Sequence, residues 1–343
     1  SPLYTYSAII GTQTITELLA LGGVSAIFWT LFFQTTVKYV FITLRADNKG
    51  EGGIFSLYTL IRKYRKWLLI PAILGGSFLL ADSIITPPIS VSSAMEGLRP
   101  RFPAIPIIPL VISIIVLLFV LQRKGTSFLG KLFGPIMMIW FTMIAVLGIS
   151  ELAENLSVLK ALNPYYAYKM LTQYPGGFWL LGGVFLCTTG AEALYSDLGH
   201  CGRKNIQISW LYVKICLILC YFGQAAWLLK HIGTHLTDVS PFFGLVPSWF
   251  IFPAIAIATL ATIIASQALI SGSFTLVAEA IRLNLWPKLR VVFPSDVKGQ
   301  LYIPTINWLL MLGCIGVVLF FKESKNMEAA IGLSVTLTLL LTT

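Results

Sequence analysis

Long apolar segments recur along this chain and constrain its fold more than any other feature. Most of them are about 20 residues long, which is the length an α-helix needs to cross a bilayer. Their predicted limits are 1–11, 21–44, 67–93, 104–122, 130–150, 176–197, 206–230, 248–280, 303–321 and 327–343. No alternation of apolar and polar residues recurs at the spacing of barrel strands. The pattern therefore predicts an all-α polytopic membrane protein with ten segments.

Composition and loop charge agree with this interpretation. The 343 residues are 57% hydrophobic and 11% charged, whereas soluble domains are about 25% charged. A net charge of +10 would favour nucleic-acid binding in a soluble protein. Here the basic residues lie in short loops between apolar segments, so lipid is the expected neighbour and no nucleic-acid partner is predicted.

The basic residues also predict an orientation. Fifteen Lys and Arg residues lie in the loops after even-numbered segments, and seven lie in the opposite loops. The positive-inside rule places the richer side in the cytoplasm, and with it the N-terminal side of the chain. The first segment is short and residues 339–343 lie within an apolar run. We therefore expect the chain to be a piece of a longer multi-pass protein of the cell membrane.

Segment 3 contains an acidic residue, Asp82, where lipid-compatible residues are expected. Ionisable groups inside a membrane segment are costly and usually face a cavity or a pathway. Thr86 and Ser90 follow at i+4 and i+8, so one helix face carries a carboxylate and two hydroxyls. This face is predicted to bind or couple a cation.

Two consecutive prolines in the same segment add to this oxygen set. Pro87 and Pro88 lack the N–H groups that would bond the carbonyls of Ser83 and Ile84. These carbonyls are predicted to be free, and an all-oxygen environment suits a hard cation rather than a transition metal. The alternative is a kinked helix in which Asp82 forms a salt bridge with a neighbour.

Segment 6 contains a second carboxylate, Glu192. Thr189 lies three residues earlier on the same helix face, and Gly190 weakens the helix between them. A helix broken at the midplane of the membrane would expose carbonyls and a half-helix end to a substrate. The alternative is a glycine that only allows two helices to pack closely.

The opening residues, Ser1–Thr5, carry a helix-breaking proline beside hydroxyls. Breaks in a first and a sixth segment are typical of a site built from two related halves, so 1–175 and 176–343 are predicted to be inverted repeats of five segments each. In segment 8, Ser266 and Gln267 are further pathway candidates. Most other hydroxyls of that segment are expected to bond their own helix backbone.

Six motifs, in order, resemble those of the KUP/HAK/KT family of potassium-uptake permeases. Asp82–Leu98 resembles the family's G-D-G-x-I-T-P-A-I-S-V-L-S-A-x-E-G-L, and Thr189–Gly199 resembles T-G-A-E-A-L-Y-A-D-M-G. The others lie at 1–5, 38–53, 261–272 and 299–308. The chain is identified as a member of that family along nearly its whole length.

The resemblance implies a LeuT-type (amino acid–polyamine–organocation) fold and K⁺ import by alternating access, coupled to H⁺. It implies no enzyme activity and no cofactor beyond the transported K⁺ and H⁺, and a homodimer is the candidate assembly. The positions that match the family's K⁺ ligands are Tyr4, Asp82, Thr86, Ser90, Thr189 and Glu192. Glu192 is the first candidate for the proton carrier and Asp82 for the ion ligand, although the roles could be exchanged.

The chain departs from the family pattern at three points. The family's first-span Asp would precede Ser1, Ala81 replaces a Gly, and Ile331 stands where the family usually has a Tyr. The last change removes a ring or a hydroxyl near the predicted site. The alternatives to a potassium permease are an organic-cation or amino-acid permease of the same fold, a K⁺ channel, and a sensor that binds K⁺ without transporting it.

Overall fold

The computed structural model of the chain describes residues 1–46, 52–62, 65–122, 127–196, 198, 202–236, 240–293 and 301–342. Parts of three predicted motifs, at 47–51, 197, 199 and 299–300, lie outside the described residues. So do five of the counted basic loop residues, which are Lys49, Lys63, Arg123, Lys124 and Lys298.

The described chain is helical almost throughout, and its β-structure is limited to two isolated bridges. A π-helical segment, Leu31–Ile42, continues the second helix without a gap. The α-helices are α1 (Thr5–Ile10), α2 (Glu17–Thr30), α3 (Ile54–Ile61), α4 (Leu69–Glu96), α5 (Ile107–Gln122), α6 (Ser127–Glu154), α7 (Tyr165–Gln173), α8 (Leu181–Phe185), α9 (Ala191–Ser196), α10 (Arg203–Lys230), α11 (Pro241–Gly244), α12 (Ile251–Arg282), α13 (Pro304–Phe321) and α14 (Ser324–Leu341).

Seven helical stretches of the described chain are long and apolar enough to cross a membrane. They are Glu17–Arg45, Lys66–Glu96, Leu132–Glu154, Gly177–Ser196, Arg203–Lys230, Ile251–Arg282 and Pro304–Phe321. The prediction of an all-helical polytopic membrane protein is confirmed at this level. The predicted number of ten spans is not confirmed. Helix α1 has only 6 residues and α5 only 16, and α14, with 18 residues, is not among the seven stretches.

The second predicted segment begins four residues earlier than its hydrophobicity indicated. The side chain of Thr16 accepts a hydrogen bond from the backbone N–H of Leu19 at 3.2 Å, and Glu17 lies in the first turn. A threonine N-cap followed by an acidic residue stabilises a helix start. Polar capping residues therefore set the start of this helix, and a prediction based on hydrophobicity alone does not detect them.

Helix α4 lies at the centre of the bundle and packs against α5, α12, α13 and α14. Its polar residues Asp82, Ser83, Thr86 and Ser90 are all buried. The helix runs without interruption through both prolines. Its buried polar groups consequently face other helices rather than lipid.

Helices α6 and α10 cross at two glycines. A Cβ atom on Gly148 would lie 2.3 Å from the carbonyl oxygen of Leu219, and one on Gly223 would lie 2.5 Å from the Cα atom of Gly148. Small residues allow such close backbone approach between membrane helices. This crossing fixes the position of α6, whose residues line a cavity described below.

Gly148→Ala is expected to destabilise the protein by about 1–3 kcal/mol, because the added methyl group meets the backbone of the facing helix. Gly134→Ala is the matched control on the same helix, since a Cβ atom there meets nothing within 4 Å. The midpoint of thermal unfolding in detergent measures both. Equal midpoints for the two variants would show that the crossing tolerates a wider separation.

Candidate ion-binding site

Three parts of the fold bring the predicted site residues together. Tyr4 immediately precedes α1, and α1 packs against α8 and α14. Asp82 lies on α4, which also packs against α14. Glu192 lies on α9, directly after the break in the sixth predicted segment.

One face of α4 carries the predicted carboxylate and hydroxyls. The Thr86 hydroxyl donates a hydrogen bond to Oδ1 of Asp82 at 2.6 Å. Asp82 is 5% exposed, Thr86 4% and Ser90 7%. Within the described chain, no basic side chain forms a salt bridge with Asp82. This geometry favours the interpretation of the face as a polar lining over that of a structural ion pair.

The prediction that the carbonyl of Ser83 is free was wrong. The Cys314 thiol, on α13, lies 3.9 Å from this carbonyl oxygen and donates to it. The Ser83 hydroxyl donates to the carbonyl of Leu79 at 2.9 Å and accepts from the Ser273 hydroxyl at 2.7 Å. Helices packed on this side of α4 therefore use the polar groups of Ser83, which take no part in the candidate site.

The sixth predicted segment is broken at Gly190. A 3-10 turn ends at Thr188, Gly190 has φ +90°, and α9 begins at Ala191. A Cβ atom on Gly190 would meet nothing within 4 Å, so the glycine does not serve close helix packing. Its role is the left-handed conformation that other residues rarely adopt. The break predicted at this position is present.

Gly190→Ala is expected to cost about 1–3 kcal/mol of stability because an alanine is strained at this φ value. The matched control is Gly182→Ala in the same broken segment, where a Cβ atom also meets nothing within 4 Å and φ is not positive. Thermal unfolding in detergent and ion uptake by the full-length protein measure the effect. If Gly190→Ala matched Gly182→Ala in both assays, the backbone conformation at Gly190 would not matter for the site.

Glu192 is held from one side only. Its Oε1 atom accepts a hydrogen bond from the Tyr39 hydroxyl at 3.0 Å, and the Thr342 hydroxyl lies 3.5 Å away. Its Oε2 atom is buried and has no hydrogen-bond partner among the described residues. A buried carboxylate oxygen without a donor is costly. It is therefore available to a cation or a proton.

Sequence reasoning missed two residues of this environment. Tyr39 contacts Glu192 directly, and Lys38 donates to the carbonyl of Leu339 at 2.6 Å, close enough for its charge to act on Glu192. Both belong to a family-like motif, but neither was assigned a role. The sequence did contain a signal for Lys38, because a charged residue inside an apolar segment usually has a function.

A small cavity lies between the two carboxylates. It is lined by Asp82, Glu192, Thr188 and Thr189, and Thr338 of α14 closes one side. Its volume is about 10 Å³, roughly the space that one water molecule needs. A dehydrated K⁺ ion is similar in size to a water molecule. Two carboxylates and several hydroxyls around such a space form a set of hard oxygen ligands for one monovalent cation.

A larger cavity adjoins this one and contains the remaining predicted residues. Its volume is about 380 Å³, and Tyr4, Thr86, Ser90 and Thr189 line it together with apolar residues of α6, α10 and α12. The Tyr4 hydroxyl is buried, lies near Ser90 and Thr189, and forms no hydrogen bond of ordinary length with a described residue. The structure thus divides the predicted set between two neighbouring cavities, and Thr189 lines both.

The candidates in segment 8 lie outside both cavities. The Ser266 hydroxyl donates to the carbonyl of Thr262 at 2.7 Å, and the Gln267 amide donates to the carbonyl of Leu118 at 3.5 Å. Neither residue lines either cavity. Their role as pathway residues therefore stays a prediction, whereas the expected bonding of the Ser266 hydroxyl to the helix backbone is present.

Ile331 is fully buried on α14. Helical spacing places it on the same face as Val335, which lines the small cavity, and as Glu328, which lies one turn towards the start of the helix. The side chain of Ile331 itself lines neither of the two cavities. The departure from the family pattern therefore lies beside the candidate site rather than in its wall.

The fold and the site define a class of protein: an integral membrane bundle with a polar, carboxylate-lined cavity between a continuous helix and a broken one. A family model described as the integral membrane domain of K⁺ potassium transporters matches residues 1–343. The chain belongs to this family.

Curated relatives carry names that agree with the family. A protein named "Probable potassium transport system protein Kup" from Cytophaga hutchinsonii is 62% identical over all of this chain and 53% of its own length. Proteins of the same name from Flavobacterium psychrophilum and Clostridium perfringens are 60% and 55% identical, again over the whole of this chain. The chain spans about half the length of these relatives.

Proposed function

We propose that this chain is the membrane core of a potassium-uptake permease that works by alternating access. The observation that carries the proposal is the small cavity in which Asp82 and Glu192 face one space of about 10 Å³. Two buried carboxylates so close together repel each other, and a monovalent cation between them relieves that repulsion. The names of the curated relatives supply the identity of the cation as K⁺.

In this mechanism Asp82 is the principal ion ligand, and Thr86 holds its carboxylate in place. Tyr4, Ser90 and Thr189 supply hydroxyl oxygens from the adjoining cavity. Glu192 carries the coupling proton, since one of its oxygens has a fixed partner and the other has none among the described residues. The membrane potential favours the entry of a cation by about 2.3 kcal/mol per 100 mV.

The proposed architecture is a LeuT-type arrangement of two inverted repeats, 1–175 and 176–343. Two observations support it: the break at Gly190, and the non-helical backbone of Tyr4 at the start of the first segment. The loop charges support a cytoplasmic N-terminal side in the cell membrane. A homodimer stays a prediction.

The direct test is Rb⁺ uptake into proteoliposomes that contain the full-length protein, with and without a pH gradient. A potassium permease coupled to protons takes up Rb⁺ faster when the outside is more acidic, and K⁺ competes with Rb⁺. Uptake that follows the cation gradient and ignores pH would indicate a channel instead. Rb⁺ binding without any uptake would indicate a sensor.

The larger cavity favours a second candidate, a permease for an organic cation. Its volume of about 380 Å³ and its mostly apolar walls could hold a small organic cation beside Thr86 and Ser90. Competition separates the two functions. An organic ammonium ion that blocks Rb⁺ uptake and is itself transported would support the second candidate, and selective competition by K⁺ would support the first.

A further inference from the structure

A third cavity, of about 120 Å³, lies at the far end of α4. It is bounded by the C-terminal end of α4, the N-terminal end of α14 and Gly11, which follows α1. All the loops around it follow odd-numbered predicted segments. It therefore opens on the side opposite the basic loops, which is the outer side under the proposed orientation.

Three carboxylates line this cavity, and two of them have fixed partners. Glu96 accepts hydrogen bonds from the backbone N–H of Ser324, at 2.9 Å, and from the Ser324 hydroxyl. Glu323 forms a salt bridge with Arg99 at 3.0 Å. These two contacts join the end of α4 to the start of α14, and they give each of the two carboxylates a partner.

The third carboxylate, Glu328, has no such partner. It is only 7% exposed, and in the described part of the chain it forms no hydrogen bond and no salt bridge. Two charged groups lie close enough to act on Glu328: the carboxylate of Glu96 and the ammonium group of the exposed Lys325. Their charges are opposite. A buried carboxylate in this position needs either a proton or a cation.

One further oxygen of the cavity wall favours the cation. The Ser93 hydroxyl is more than nine-tenths buried, belongs to a residue that lines this cavity, and has no hydrogen-bond partner among the described residues. One unpaired carboxylate and one hydroxyl are hard ligands with a single negative charge. Ca²⁺ usually takes several carboxylates, so this set fits a monovalent cation better.

Tyr4 connects this cavity with the inner one. It lines the outer cavity beside Ser93 and the larger inner cavity beside Thr86 and Ser90. A cation held at Glu328 would therefore be one side chain away from the predicted ligands on α4.

From this geometry we infer that Glu328 and Ser93 form a second binding site for the transported monovalent cation at the outer mouth of the protein. The inference rests on the proposed transport function, which it extends with a site that loads the inner cavity. A negatively charged cleft raises the local concentration of a cation and its rate of entry. The outer site therefore acts mainly when the cation is scarce.

The test is Rb⁺ uptake as a function of Rb⁺ concentration, in proteoliposomes with the full-length protein. Glu328→Gln is expected to raise the concentration for half-maximal uptake about 3- to 10-fold and to leave the maximal rate within about twofold. Glu328→Asp, which keeps the charge, restores most of the affinity. Ser93→Ala removes an oxygen that has no hydrogen bond to lose, and it is expected to shift the half-maximal concentration in the same direction by about twofold.

The matched control is Glu154→Gln. Glu154 is exposed on the same side of the membrane, and Lys230 keeps its contact with Glu151 at 2.5 Å when Glu154 is neutral. This variant makes the same change of charge outside the cavity, so its uptake curve should match that of the wild type. If Glu154→Gln raised the half-maximal Rb⁺ concentration as much as Glu328→Gln, the effect would come from general surface charge, and the proposed site would be overturned.

Equilibrium binding of ⁸⁶Rb⁺ to the full-length protein in detergent separates this inference from the proposed function. In an Asp82→Asn background, residual Rb⁺ binding should remain, and adding Glu328→Gln should abolish it. A wild type that binds Rb⁺ in this way but does not transport it would contradict the transport function and leave the outer site standing. The outer site would be overturned if the Asp82→Asn variant bound no Rb⁺, or if adding Glu328→Gln left its Rb⁺ binding unchanged.

Discussion

Asp82→Asn in the full-length protein is expected to lower Rb⁺ uptake at a limiting Rb⁺ concentration by about 100-fold or more. The reason is that a carboxylate and a cation about 4 Å apart attract each other by about 4 kcal/mol at an effective dielectric constant near 20. Asparagine has almost the same shape, and its carbonyl oxygen can still accept the hydrogen bond of Thr86. The change therefore removes the charge and leaves the packing of α4 in place. The fall in uptake is measured as the initial rate of Rb⁺ uptake into proteoliposomes.

Ser77→Ala on the same helix is the control for this prediction. The Ser77 hydroxyl donates to the carbonyl of its own helix at Ile73 and lies on the exposed side of α4. Its loss should leave uptake unchanged. Uptake by Asp82→Asn that equals the wild type, at the same half-maximal concentration, would remove Asp82 from the ion site.

Glu192→Gln is expected to lower uptake by about tenfold or more, because a hydrogen bond to a charged group is worth about 1.5–3 kcal/mol and the cavity also loses a negative charge. Its more specific effect concerns the proton. A glutamine cannot release or take up a proton in the physiological range. The remaining uptake should therefore no longer accelerate when the outside is acidified.

Tyr39→Phe is the matched control for Glu192→Gln. It removes the hydroxyl that donates to Glu192 at 3.0 Å but keeps the carboxylate. Uptake should fall by a smaller factor and should still respond to the pH gradient. If Asp82→Asn lost the pH response and Glu192→Gln kept it, the two carboxylates would have exchanged roles.

Local features of the chain were predictable because they depend on residues only a few positions apart. The bond between Asp82 and Thr86 follows from helical spacing, and the break at Gly190 follows from a glycine among residues that weaken the helix. For Gly190, however, the sequence allowed two interpretations. Only the neighbouring elements show that the space beside it is empty, which excludes close packing as its role.

Contacts between distant parts of the chain were not predictable in this way. Tyr39 and Glu192 are 153 positions apart, and Glu96 and Ser324 are 228 positions apart. Pro87 leaves the carbonyl of Ser83 without its helix hydrogen bond, but the prediction that this carbonyl is free was wrong. Its contact with the Cys314 thiol depends on which helix packs there.

The sequence by itself determined the class of this protein, the helical course of its segments and the polar face of α4, because hydrophobic length and the 3.6-residue helical period act locally. Only the tertiary structure decided which carboxylates share a space. It placed Asp82 and Glu192 on one small cavity, and in another it left Glu328 without a hydrogen bond or salt bridge to a described residue. The physical reason is that a cavity is the gap between helices far apart in sequence, and its lining depends on how all of them pack.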